Sequence, residues 1–141
     1  MLKSLKLLLA IAIFATLQSC KKSSSDTVTF KATLSGQNEV PANMSTASGE
    51  SVLTYNKSTK MFTIVTIYNG LTPVMGHIHK AVEGTNGPVI FPFPDVSKSP
   101  ITVESAMTDA QYDALLKDSM YVNLHTAAFP AGEIRGQLRK Q

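Results

Sequence analysis

The chain has 141 residues, 43% of them apolar, with no tryptophan and one cysteine, which is room for one hydrophobic core and not for two full domains. Its formal charge is +3, but Lys3 and Lys6 belong to an N-terminal leader. The remaining 11 basic residues against 10 acidic ones leave no basic footprint, which excludes nucleic acid as the expected partner.

The leader comes first in chain order. Behind Lys3 and Lys6, residues 7–17 (LLLAIAIFATL) are unbroken apolar sequence. As a helix this stretch rises about 16 Å, roughly half a bilayer core, so it fits the apolar region of a cleaved signal peptide and not a membrane span. Leu17-Gln18-Ser19-Cys20 follows directly. It resembles the bacterial lipobox, in which the cysteine becomes the first mature residue and carries the acyl chains. The expectation is a signal peptide over residues 1–19 and a lipidated Cys20 with a flexible tether over 20–26. Several acyl chains, at about 0.8 kcal/mol per buried methylene, hold such a protein on a membrane. That places the domain in the cell envelope, anchored to the outer membrane and facing the periplasm or the cell exterior. With Cys20 acylated, no disulfide forms within the chain.

The tether KKSSSD is polar throughout and gives way at residue 27 to a folded domain running to residue 141. Val28, Phe30, Ala32 and Leu34 alternate with polar neighbours, the period-two pattern of a strand with one buried face. A long polar loop (35–49) precedes two strands, 50–55 and 61–68, joined as a hairpin. Further strands are expected at 74–79, 88–91 and 99–104, with Pro92, Pro94 and Pro100 confining this region to edges and loops. Thr108 and Gln111 have capping-box spacing at the head of a short helix, 109–117. Two strands, 120–126 and 133–139, close the chain. Many short strands and one helix, without βαβ alternation, predict an all-β fold, an antiparallel Greek-key sandwich or barrel.

All three histidines fall in predicted strands: His77 and His79 in GHIH, His125 in YVNLHT. Residues two apart in a strand share a face. His77 therefore points with His79, and His125 points with Tyr121 and Asn123, away from the apolar Val122 and Leu124. The three imidazoles are expected on the outer or rim side of the sheet. If the two strands are neighbours, the imidazoles converge on one ion, and three neutral nitrogens suit copper or zinc. Asn123, Glu133 and Arg135 are the residues expected to support the ligands. Strand histidines also pack, cap loops and bond to the backbone, and both readings stay open here. Glu133, Arg135, Gln137 and Arg139 share one face of the last strand, read as solvated with a weak ion pair. Gly84, Asn86, Gly87 and Pro88 read most simply as a turn. No Gly-x-Ser-x-Gly elbow or carboxylate pair points to hydrolytic chemistry.

FKATLSG with NEVP, then GHIH, NGPV, YVNLHT and PAGEIRGQL together resemble the CHRD (chordin-type) domain over about residues 27–138. The resemblance implies a β-sandwich or barrel outside the cytoplasm, and no known enzymatic activity. It favours a non-catalytic binding or envelope-structural module whose partner is an envelope protein or glycan. The His-x-His strand and the later strand histidine are also similar to copper-zinc superoxide dismutase. That similarity implies His77, His79 and His125 as copper ligands and Arg135 near the place of the arginine that guides the anionic substrate. It implies dismutase-like or copper-handling activity as the alternative function. The chain departs from that enzyme in having no fourth histidine for a zinc site and no second cysteine for its disulfide.

Overall fold

The computed structural model describes residues 26–141. The signal segment 1–19 and the lipidation site Cys20 lie outside the described residues. The elements are β1 (Thr27–Ser35), a 3-10 turn (Gly36–Asn38), β2 (Ser48–Asn56), β3 (Met61–Asn69), β4 (Met75–His79), β5 (Val89–Pro92), β6 (Ile101–Ala106), α1 (Asp109–Leu116), β7 (Tyr121–His125), β8 (Ile134–Gln137) and β9 (Arg139–Lys140). Among the described residues no helix is long and apolar enough to cross a membrane.

All strands pair antiparallel in one sheet of order β5-β4-β7-β8-β1-β2-β3-β6, with β9 also pairing β1. The sheet curls into a half-barrel. The curl brings strands far apart in this order together: Phe62 of β3 meets Phe91 of β5 edge to face, ring centroids 4.8 Å apart. The expected all-β antiparallel domain with one short helix is therefore the fold observed. The proline-bounded β5 and β6 occupy the two ends of the strand order, where a missing N–H costs least.

Period-two alternation in β1 sends Phe30, Ala32 and Leu34 into the hollow of the curl, where Leu53, Ile64, Ile78, Val122 and Leu124 join them in one core. Each fully buried Leu, Ile or Phe contributes about 1.5–3 kcal/mol before entropy is subtracted. The helix starts where its capping box predicts: Gln111 N–H donates to Thr108 Oγ1, and the Gln111 side chain accepts from Thr108 N–H. It covers one end of the core, with Leu115 buried and Tyr112 stacked on Tyr55 at 4.2 Å.

Candidate metal centre

Strand β4 lies between β5 and β7, and β7 between β4 and β8. The register sets His77 opposite Asn123, His79 opposite Tyr121 and Met75 opposite His125, while Asn123 faces Arg135 on β8. Directly opposed residues emerge on the same side of a sheet. Histidine, tyrosine, asparagine and arginine therefore form one continuous polar layer, and Gly76, Ile78, Val122 and Leu124 belong to the core on the other side. The expected face is the observed one.

Its environment differs from the expectation. His79 and His125 are buried, as are Asn123, Glu133 and Arg135, and only His77 among the three histidines is half-exposed. The cause is two loops folded over this side of the sheet. In the loop following β4, Gly87 N–H donates to Tyr121 Oη and Asn86 Nδ2 donates to Val40 O. In the loop before β2, Asn43 Nδ2 donates to Glu133 O and Ser45 Oγ to Glu133 Oε1. The segment read as a plain turn is thus half of the cover.

The imidazoles converge. His77, His79 and His125 each offer a ring nitrogen, and these nitrogens lie within 4.8 Å of one another. His77 Nδ1 stands 3.1 Å from His125 Nε2. Two nitrogens bound at about 2.0–2.1 Å to one ion, at angles of roughly 90–110°, stand about 2.8–3.4 Å apart. This pair therefore already has the span of a chelate, and His79 has only to move inward.

Backbone carbonyls fix which nitrogens are available. His79 Nδ1 is 2.9 Å from Gly87 O, and His125 Nδ1 is 3.1 Å from Pro130 O. A carbonyl can only accept, so each Nδ1 carries the proton and each Nε2 holds a lone pair. His79 Nε2 is buried without a hydrogen-bond partner, an expensive state for a polar atom. Burial is the first cause that pushes all three imidazoles below their ordinary 6.5, reinforced at His77 by the charges of His125 and His79. The cluster is thus held neutral, the form that ligates. Without an ion, His77 Nδ1–H can donate to His125 Nε2; to hold an ion through both of those nitrogens, His77 would carry its proton on Nε2 instead.

Of the expected supports, Arg135 donates to Thr85 O at 2.7 Å and Asn86 Oδ1 at 3.1 Å, with its guanidinium 3.4 Å from the Tyr121 ring centroid. It is 2% exposed, so the reading of its strand face as solvated is corrected there: the loop over β8 supplies the partners that water would have supplied. Glu133 is tied to Thr126 and Ser45, bracing the turn that holds His125. Asn123 donates to Glu39 Oε2. The sequence reading set Tyr121 on the face of His125 but did not name it as a support, although its ring stacks on His79 at 4.8 Å and 7°, and it missed Glu39. What parity could not give was its partner: the register that sets Tyr121 opposite His79. Glu39 was visible only as part of the NEVP motif.

Glu39 is buried, and its carboxyl is pushed up to about 7, chiefly by desolvation and against the opposing pull of Arg135. Its Oε1 and the Asn123 Oδ1 are both without a partner, and both crowd Gly132, 2.6 and 2.7 Å from where a Cβ would sit. Only glycine leaves room for this pair.

Neither the curated proteins nor the solved structures contain a match to this chain. The CHRD domain matches residues 30–138, nearly all of the described fold with the imidazole cluster and its covering loops inside the match, and the chain belongs to the CHRD domain family.

Proposed function

We propose that this CHRD protein is an envelope module, carried outside the cytoplasm on an acylated Cys20, that holds one copper or zinc ion through His77, His79 and His125. The observation that carries the reading is the pair of Nδ1–H groups spent on Gly87 O and Pro130 O. A histidine whose outer nitrogen is fixed by a carbonyl presents the other as an oriented ligand, the usual arrangement around protein-bound zinc and copper. Packing alone would account for those two bonds. It gives no account of a buried His79 Nε2 without a partner beside two further ring nitrogens. Three neutral donors suit either metal and leave a fourth position open. The role is binding: what the residues supply is an oriented, neutral, partly covered set of nitrogens.

The test is calorimetric titration of the full chain in mild detergent with zinc and with copper, beside a variant in which all three histidines are alanine. One ion per chain, lost in the variant while its circular dichroism is kept, is the expected result. Equal binding by the variant, or none by the wild-type chain, overturns the reading.

A further inference from the structure

The strand that carries two of the imidazoles starts at Met75. In β4, Met75, His77 and His79 alternate with the buried Gly76 and Ile78, so the thioether and the two imidazoles leave the sheet on one side. Gly76 marks the opposite side: a Cβ there would meet Leu124, Phe93 and Val96 of the core. The register also sets Met75 directly across from His125, with Cβ atoms about 4.5–5.5 Å apart for such a pair. Met75 is therefore the neighbour of two ligands at once, His77 along the strand and His125 across it. It is 45% exposed, and with His77 and the Pro94-Asp95 loop it borders an open cleft of about 300 Å³ at the edge of the cluster, which neither His79 nor His125 lines. Its unbranched side chain has three rotatable bonds and ends in a polarizable thioether, the adaptability such a reach requires.

We propose that Met75 occupies the fourth position as a thioether ligand and that the site selects copper(I). The proposal rests on the three-histidine reading above.

Two arguments support the choice of ion. Thioether sulfur is a soft, neutral donor that favours copper(I), whereas zinc gains little from it beside imidazole. Charge points the same way. The donors are all neutral, so the whole charge of the ion stays in a half-covered site, and the buried Arg135 guanidinium already sits close by, against the Tyr121 ring that stacks on His79. A monovalent ion meets about half the repulsion that a divalent one does.

The experiment compares the full chain with Met75→Leu, a change that keeps apolar volume at a half-exposed position. Copper(I) affinity is measured anaerobically with ascorbate against a chromophoric copper(I) chelator, and zinc affinity against a zinc chelator. Copper(I) affinity is expected to fall about tenfold or more in the variant while zinc affinity stays within about twofold. Copper-edge absorption is expected to show a sulfur shell in the wild-type protein and none in Met75→Leu. Unchanged copper(I) affinity, an equal fall for both metals, or no sulfur shell in the wild type overturns the proposal while the three-histidine site stands. Failure of the wild-type chain to bind either metal overturns that underlying reading itself.

Discussion

Glu39 shows how one buried group sets a pH dependence. Its carboxyl is held near 7 in the folded protein against an ordinary 4.5, so between those values the folded chain keeps a proton that the unfolded chain has lost. The contribution is fully present below 4.5 and disappears as pH rises through 7. The histidines run the other way, because pKa values depressed below 6.5 mean stability is lost as pH falls below that value. Glu39→Gln isolates the carboxyl, since the histidine contribution cancels between variant and wild type. Relative to wild type, the variant is expected to gain on the order of 2–3 kcal/mol between pH 4 and pH 8. Urea unfolding of the metal-free protein across that range checks it, and a difference that does not vary with pH would mean Glu39 is an ordinary carboxylate. The shared face of the histidines was legible because a strand's period of two needs no tertiary information. The burial of Glu39 was not, because it lies in a loop beyond the 3-10 turn, and loops have no period to read.

Strands and helix follow local rules, and the cover over the site does not. Alternation in β1, the prolines around β5 and the Thr108-Gln111 box each act within a few residues, so each was readable. The loop after β4 is instead held by partners far along the chain: Tyr121 for Gly87 and Arg135 for Thr85 and Asn86. This difference predicts opposite effects from two single changes. Thr108→Ala removes the capping box and is expected to cost about 1 kcal/mol in urea unfolding, with zinc affinity unchanged, because α1 touches none of the imidazoles. In Gly87→Ala the new Cβ would fall 2.0 Å from Lys80 O, so the loop must move and carry away the carbonyl that orients His79. Zinc affinity is expected to drop by about 10–100-fold, the usual cost of losing a group that orients a ligand. Equal affinities for the two variants would mean that the loop covers the cluster without orienting it.

At the scale of the molecule, the strand order fixes where the site stands relative to the start of β1, the end nearest the proposed anchor. The order was not legible in the sequence, because alternation says which face of a strand is buried and nothing about its neighbours. The register supplies it: Ser35 at the far end of β1 pairs with Arg135, which faces Asn123, which faces His77. β1 begins at Thr27, and the eight residue steps from there to Ser35 span about 26 Å. Seven residue steps separate Cys20 from Thr27, a reach of at most about 25 Å. With Cys20 acylated as proposed, the Thr27 end of the half-barrel would stay within that reach of the lipid, while the imidazoles lie at the level of the other end of β1. The anchor and the site then act separately. Cys20→Ala is expected to release the protein from membrane fractions, checked by sedimentation after a high-salt wash, while zinc affinity stays within about twofold of the anchored protein, given the distance between them. Retention of the variant on membranes would remove the lipid anchor from the reading and leave the imidazole cluster to be judged on its own titration.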